Sequence, residues 1–87
     1  MLFIPMEMLK KEIKFRGSRR GIKELDIIFG TFIDDQIDHL NMEELEALRE
    51  LLLEGDLDLL EYFQGEKPLP EHLNAEVFAK MKTSNAS

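Results

Sequence analysis

Few side chains in this 87-residue chain could carry covalent or metal chemistry. It has no cysteine, which excludes thiol nucleophiles, thiolate zinc sites and disulfides and leaves stability to packing. Its two histidines, His39 and His72, are far apart, and neither sits among carboxylates at metal-ligand spacing. Asp34, Asp35 and Asp38 form an acidic group. Successive helical positions diverge by about 100°, so the three cannot converge on one cation and read as a solvated helix face. His39 falls near a helix end, where a cation suits the helix dipole. There is no Gly-rich phosphate loop, no HExxH and no nucleophile paired with a base. The reading is of a chain that is not an enzyme, with no metal and no tightly bound cofactor of its own.

What stands out instead is the junction Arg19, Arg20, Gly21, Ile22, Lys23, Glu24. Arg20 and Glu24 are four apart at a helix start, so they are expected to share a face, with Gly21 leaving the backbone bare beside them. A partner chain could then meet a planar guanidinium on one side and a carboxylate on the other. Glycine weakens a helix, and Arg ahead of Glu is the poorer order for such a pair against the dipole. Two local costs at one place point to a surface kept for binding, whereas an ordinary intrahelical ion pair would contribute only a few tenths of a kcal/mol.

Charge adds a direction. The net charge is −7, yet residues 1–23 hold seven basic and two acidic side chains, and the remainder carries −12. The asymmetry can orient a charged partner at low salt. The acidic bulk would repel a polyanion, so nucleic acid is not an expected partner. No stretch approaches the roughly 18 to 20 apolar residues of a membrane span. Apolar residues 1–6 precede the charges, the reverse of a secretory signal, and Glu7 and Glu12 break the acid-poor pattern of a transit peptide. The expected compartment is a bacterial-type cytoplasm.

Periodicity is helical throughout. Met6, Leu9 and Ile13 define a first helix that Gly17 can end by adopting the left-handed conformation, with Ser18 placed to cap the next. Ile22, Leu25, Phe29, Phe32, Ile33, Ile37 and Leu40 form one stripe of a long second helix, where Gly30 implies close approach or a bend. Asn41 and Glu44 read as a capping box opening a third helix, with Leu45, Leu48, Leu51 and Leu52 buried. Gly55 stops it, and Asp56 can cap a short fourth helix through Leu57, Leu60 and Phe63. Residues 65–70 break the pattern, and Pro70 is placed to begin a fifth helix with Leu73, Val77, Phe78 and Met81 inside. No period-two alternation or internal repeat occurs. The expected fold is an all-α, compact single-domain five-helix bundle over residues 1–82, with a disordered polar tail over 83–87.

The run Arg19 to Asp26 resembles the RGxxE signature of the FAD assembly factor family, small proteins that assist flavinylation of succinate dehydrogenase. Phe32 and the later Leu52, Asp56, Asp58 and Leu59 also look like the family's pattern, and the resemblance covers about residues 10–64. One departure is Tyr62, where many members carry Trp. The resemblance implies a five-helix fold and a chaperone-like role. The protein would bind the flavoprotein subunit of succinate dehydrogenase, with that of fumarate reductase as a second candidate, and promote covalent attachment of FAD, which belongs to the partner. Carried over as partner-binding residues are Arg19, Arg20, Gly21, Glu24 and Asp26, with Phe32, Asp56, Asp58 and Tyr62 in support. The competing reading is an antitoxin-like or anti-activator regulatory module whose acidic residues, among them Asp34, Asp35, Glu43 and Glu46, mask a basic partner.

Overall fold

A computed structural model describes residues 5–18 and 20–84. Among these the chain forms five α-helices and no strand: α1 Met6–Gly17, α2 Lys23–Gln36, α3 Met42–Leu52, α4 Asp56–Gln64 and α5 Ala75–Ser84, with a 3-10 turn Ile37–His39 following α2. The all-α, five-helix expectation holds.

The α2 stripe is buried as its spacing requires, from Leu25, Phe29, Phe32 and Ile33 on the helix to Ile37 and Leu40 beyond it. The long second helix is shorter than its hydrophobic period suggested, because its last turn tightens to 3-10 before Leu40 turns extended. α3 begins as read: Asn41 Oδ1 accepts from the Glu44 amide at 2.8 Å, and the Glu44 carboxylate accepts from the Asn41 amide at 3.0 Å. All four of its leucines are buried. Leu48→Ala should therefore cost about 2 to 5 kcal/mol, as emptying a core site does. Urea unfolding would measure it, and a loss near zero would place Leu48 outside the core.

Several local readings are corrected. Gly17 ends α1 without a left-handed backbone; Gly65 is the one positive-φ glycine among the described residues, at φ +77° after α4. A Cβ at Gly17 would run into the Ile33 side chain of α2, so the bare backbone here leaves room for that side chain. Gly30, where close approach was expected, has nothing within 4 Å of a built Cβ. Ser18 does not cap α2; its hydroxyl donates to Phe15 O at 3.1 Å, closing α1. The fifth helix starts five residues later than Pro70, because Asn74 Oδ1 accepts from the Glu76 and Val77 amides at 2.8 and 3.1 Å. Before it, Leu73 N donates to Pro70 O in a single turn. Met6 is partly exposed, and burial along α1 begins at Leu9. α5 includes Thr83 and Ser84, which the sequence reading places in the polar tail; the rest of that tail lies outside the described residues.

In α4 the buried face is Leu59 and Tyr62, with Phe63 half-buried, while Leu57 is 71% exposed. Phe63 stacks on Phe78 of α5 (centroids 4.7 Å apart) and meets Phe29 of α2 edge-on at 5.9 Å, so aromatic contacts join three helices. Between α1 and α3, Glu12 Oε2 accepts from Arg16 Nε and from Arg49 Nε, both at 2.8 Å. Hydrogen bonding from Arg16, joined by Arg49, holds the Glu12 carboxyl below the usual glutamate range. A depressed folded-state value means stabilisation that is present above the unfolded-state value and is lost as pH falls through the folded one. The stability gap between the native chain and Glu12→Gln should thus be open near pH 7 and close as pH falls below the usual glutamate range in urea titrations. A gap independent of pH would contradict the assignment.

Candidate docking corner

The loop from α1 to α2 lies against the junction of α3 and α4, and Arg20 makes the connection. Ile22 is the N-cap of α2, so Arg20 precedes the helix. The helix face that the spacing predicts Arg20 and Glu24 to share does not form, because only Glu24 lies on α2. The Arg20 guanidinium instead turns inward, with its side chain 9% exposed. Nε donates to Asp56 Oδ1 at 2.8 Å, one terminal nitrogen donates to Leu52 O at 2.8 Å, and the other donates to Glu54 O at 2.9 Å and stands 2.7 Å from Asp56 Oδ1. Leu52 is the last residue of α3, so the cation satisfies carbonyls at and just beyond a helix C-terminus, where positive charge is favoured. Asp56 is the first residue of α4, where negative charge is favoured. The guanidinium also sits 5.7 Å from the Phe29 ring centroid, a cation–π contact that links the polar junction to the core.

Two carboxylates fix the main chain of the same loop. Asp26 Oδ1 accepts from the Arg20 amide at 3.0 Å, and Asp56 Oδ2 accepts from the Gly21 amide at 2.9 Å. A Cβ at Gly21 would stand 3.1 Å from Asp56 Oδ2. That carboxylate is held by Arg20 and cannot easily retreat, so glycine serves here for room. Asp56 therefore does not cap α4 as expected; Gly55 is the N-cap.

Glu24, in the first turn of α2, is exposed and has no ion pair among the described residues. Gly21 is exposed beside it. Arg19 lies outside the described residues. Asp58 pairs with Lys67 at 3.2 Å. Tyr62 is 8% exposed, and its hydroxyl donates to Glu54 Oε1 in a long 3.4 Å bond, bracing the residue whose carbonyl receives Arg20. Burial, with the nearby Glu54 carboxylate, pushes the Tyr62 phenol up. Phe32 is buried in the core and borders a groove with Gln36, Leu40, Ala79 and Thr83 at the other end of α2, so it belongs to a different region.

The structure thus brings Arg20, Gly21, Asp26 and Asp56 together and leaves Glu24 outermost. Three exposed apolar residues are close in sequence to residues of this corner: Ile27, one turn beyond Glu24; Leu53, between the two residues whose carbonyls receive Arg20; and Leu57, next to Asp56, which the sequence pattern puts on the buried stripe of α4. Ile27 and Leu53 fall off every predicted stripe and carry no sequence signal of their own, and Leu57 is read as core because leucine usually is.

Among the described residues no group of three or more His, Asp and Glu side chains could hold a metal ion. No helix among them is long and apolar enough to cross a membrane. Fold and corner together define a small helical protein whose Arg20 and Gly21 are hydrogen-bonded into the fold beside an accessible carboxylate. The chain belongs to the Sdh5 family, described as flavinator of succinate dehydrogenase, which it matches over residues 11–85. It is similar to the FAD assembly factor SdhE of Idiomarina loihiensis, at 34% identity over 76 residues, 86% of this chain and 84% of that protein. The FAD assembly factor SdhE of Acetobacter pasteurianus is 32% identical over 72 residues, 83% of this chain and 66% of that protein. The mitochondrial succinate dehydrogenase assembly factor 2 of Schizosaccharomyces japonicus is 34% identical over 77 residues, 87% of this chain. The chain spans about half the length of that yeast protein, 54%, and just under two thirds of the Acetobacter one. Nothing in these similarities favours the acidic regulatory module.

Proposed function

We propose that this protein is an assembly factor that binds the flavoprotein subunit of succinate dehydrogenase and promotes covalent attachment of FAD to it, with the flavoprotein of fumarate reductase as a second client. Membership of the flavinator family carries the reading. The corner supports it with a ready contact surface: the Glu24 carboxylate, bare Gly21, and apolar Ile27, Leu53 and Leu57 nearby. An accessible apolar group beside a charge suits a partner that covers both.

The role is that of a chaperone. These side chains include no base–nucleophile pair, and the flavin belongs to the partner, whose own groups form the bond. Holding reacting groups in line can supply many kcal/mol of a barrier without chemistry by the helper. Tighter binding to the immature flavoprotein than to the finished one would shift the client's population toward a flavinylation-competent conformer, and the same difference drives release. The compartment we assign is the bacterial-type cytoplasm.

The test is to incubate the purified apo flavoprotein subunit with FAD, with and without this protein, then denature it and read flavin fluorescence in the gel. More fluorescence with the protein present is expected, and equal fluorescence in both arms would overturn the reading.

A further inference from the structure

The familiar elements of the motif divide into two jobs. Arg20 has spent its guanidinium on Asp56, Leu52 O and Glu54 O, and its side chain is 9% exposed, so it has no free fork with which to grip another chain. Gly21 gives its amide to Asp56, and a Cβ there would press on that carboxylate at 3.1 Å. Asp56 serves both, with one oxygen on Arg20 and the other on Gly21.

We propose that Arg20, Gly21 and Asp56 act as one positioning unit, and that Glu24 is the motif residue that touches the partner. The unit ties the start of α2 to the α3–α4 junction. It thereby fixes Glu24 and Ile27, carried on α2, relative to Leu53 and Leu57, carried some 30 residues later. A surface assembled from two such distant segments keeps its shape only while the tie holds, and pre-ordering it removes a cost that binding would otherwise bear. The inference rests on the proposed partner, the flavoprotein subunit.

It is tested on the full chain with Glu24→Ala, Asp56→Asn and the double variant, with Arg20→Lys as a second way to loosen the unit should Asp56→Asn fold poorly. Lysine keeps the charge but cannot span the two carbonyls and the carboxylate together. Affinity for the purified apo flavoprotein subunit is measured beside thermal stability, and exchange of the Gly21 amide is followed by NMR in the free protein. Glu24→Ala should weaken binding about tenfold with an unchanged melting temperature, and Asp56→Asn about tenfold with faster Gly21 exchange. In the double variant the two losses should overlap, because a displaced Glu24 has already lost its contact. A merely structural Asp56 would lower apparent affinity equally in both backgrounds, so fully additive losses overturn the inference. Unchanged Gly21 exchange in Asp56→Asn overturns it too, whatever the partner does. Failure of the native chain to bind the flavoprotein would overturn the functional reading and this inference with it, whereas native binding with additive losses overturns the inference alone.

Discussion

Arg20→Ala is expected to destabilise the fold by about 2 to 4 kcal/mol, far more than loss of an exposed ion pair. Removing the guanidinium leaves the carbonyls of Leu52 and Glu54 without their donor and Asp56 without its counter-charge. Breaking a fully buried pair by deleting one partner costs about 3 to 5 kcal/mol, and the 30% exposure of the Asp56 side chain lets water offset part of that. The Phe29 contact is lost as well. Chemical denaturation of native and variant chains would read the difference. A change below about 0.5 kcal/mol, the usual range for surface substitutions, would mean the guanidinium is ornamental to the fold.

Glu24→Ala should do the reverse. Glu24 is exposed and unpaired among the described residues, so helical circular dichroism and melting temperature should stay as they are. Stimulation of flavinylation should fall at least tenfold, as befits loss of a charge-assisted contact that the partner has desolvated. Helical collapse in this variant would make Glu24 structural. Native-level stimulation would remove it from the interface. Loss at Arg20 shows first in stability and reaches binding only through the loosened tie, whereas loss at Glu24 shows in activity alone, and this separates two residues that a motif treats alike.

How much of this was legible beforehand follows from the range of each interaction. The Asn41–Glu44 capping box and the Leu25 to Leu40 stripe were readable because their partners lie within a turn or two along the chain. The start of α5 was misplaced because proline marks where a helix can begin, whereas Asn74 supplies the acceptor its first amides need. The buried face of α4 is ambiguous in the sequence because its leucines at 57, 59 and 60 fit two stripes, and distant contacts decide between them, Asp56 to Arg20 and Phe63 to Phe29 and Phe78. That pairing spans 36 residues, and nothing local announces it. The motif located the corner correctly but not its geometry: spacing alone made Arg20 and Glu24 neighbours, while the fold sends Arg20 inward and keeps Glu24 at the surface.

The most direct test of the docking corner is hydrogen exchange of this chain, free and mixed with the apo flavoprotein subunit. Binding through the corner should slow exchange over residues 21–27 and 53–57 and leave the far end of α5 as it is in the free protein. Protection confined to α5 and the end of α2, with residues 21–27 exchanging as before, would contradict it.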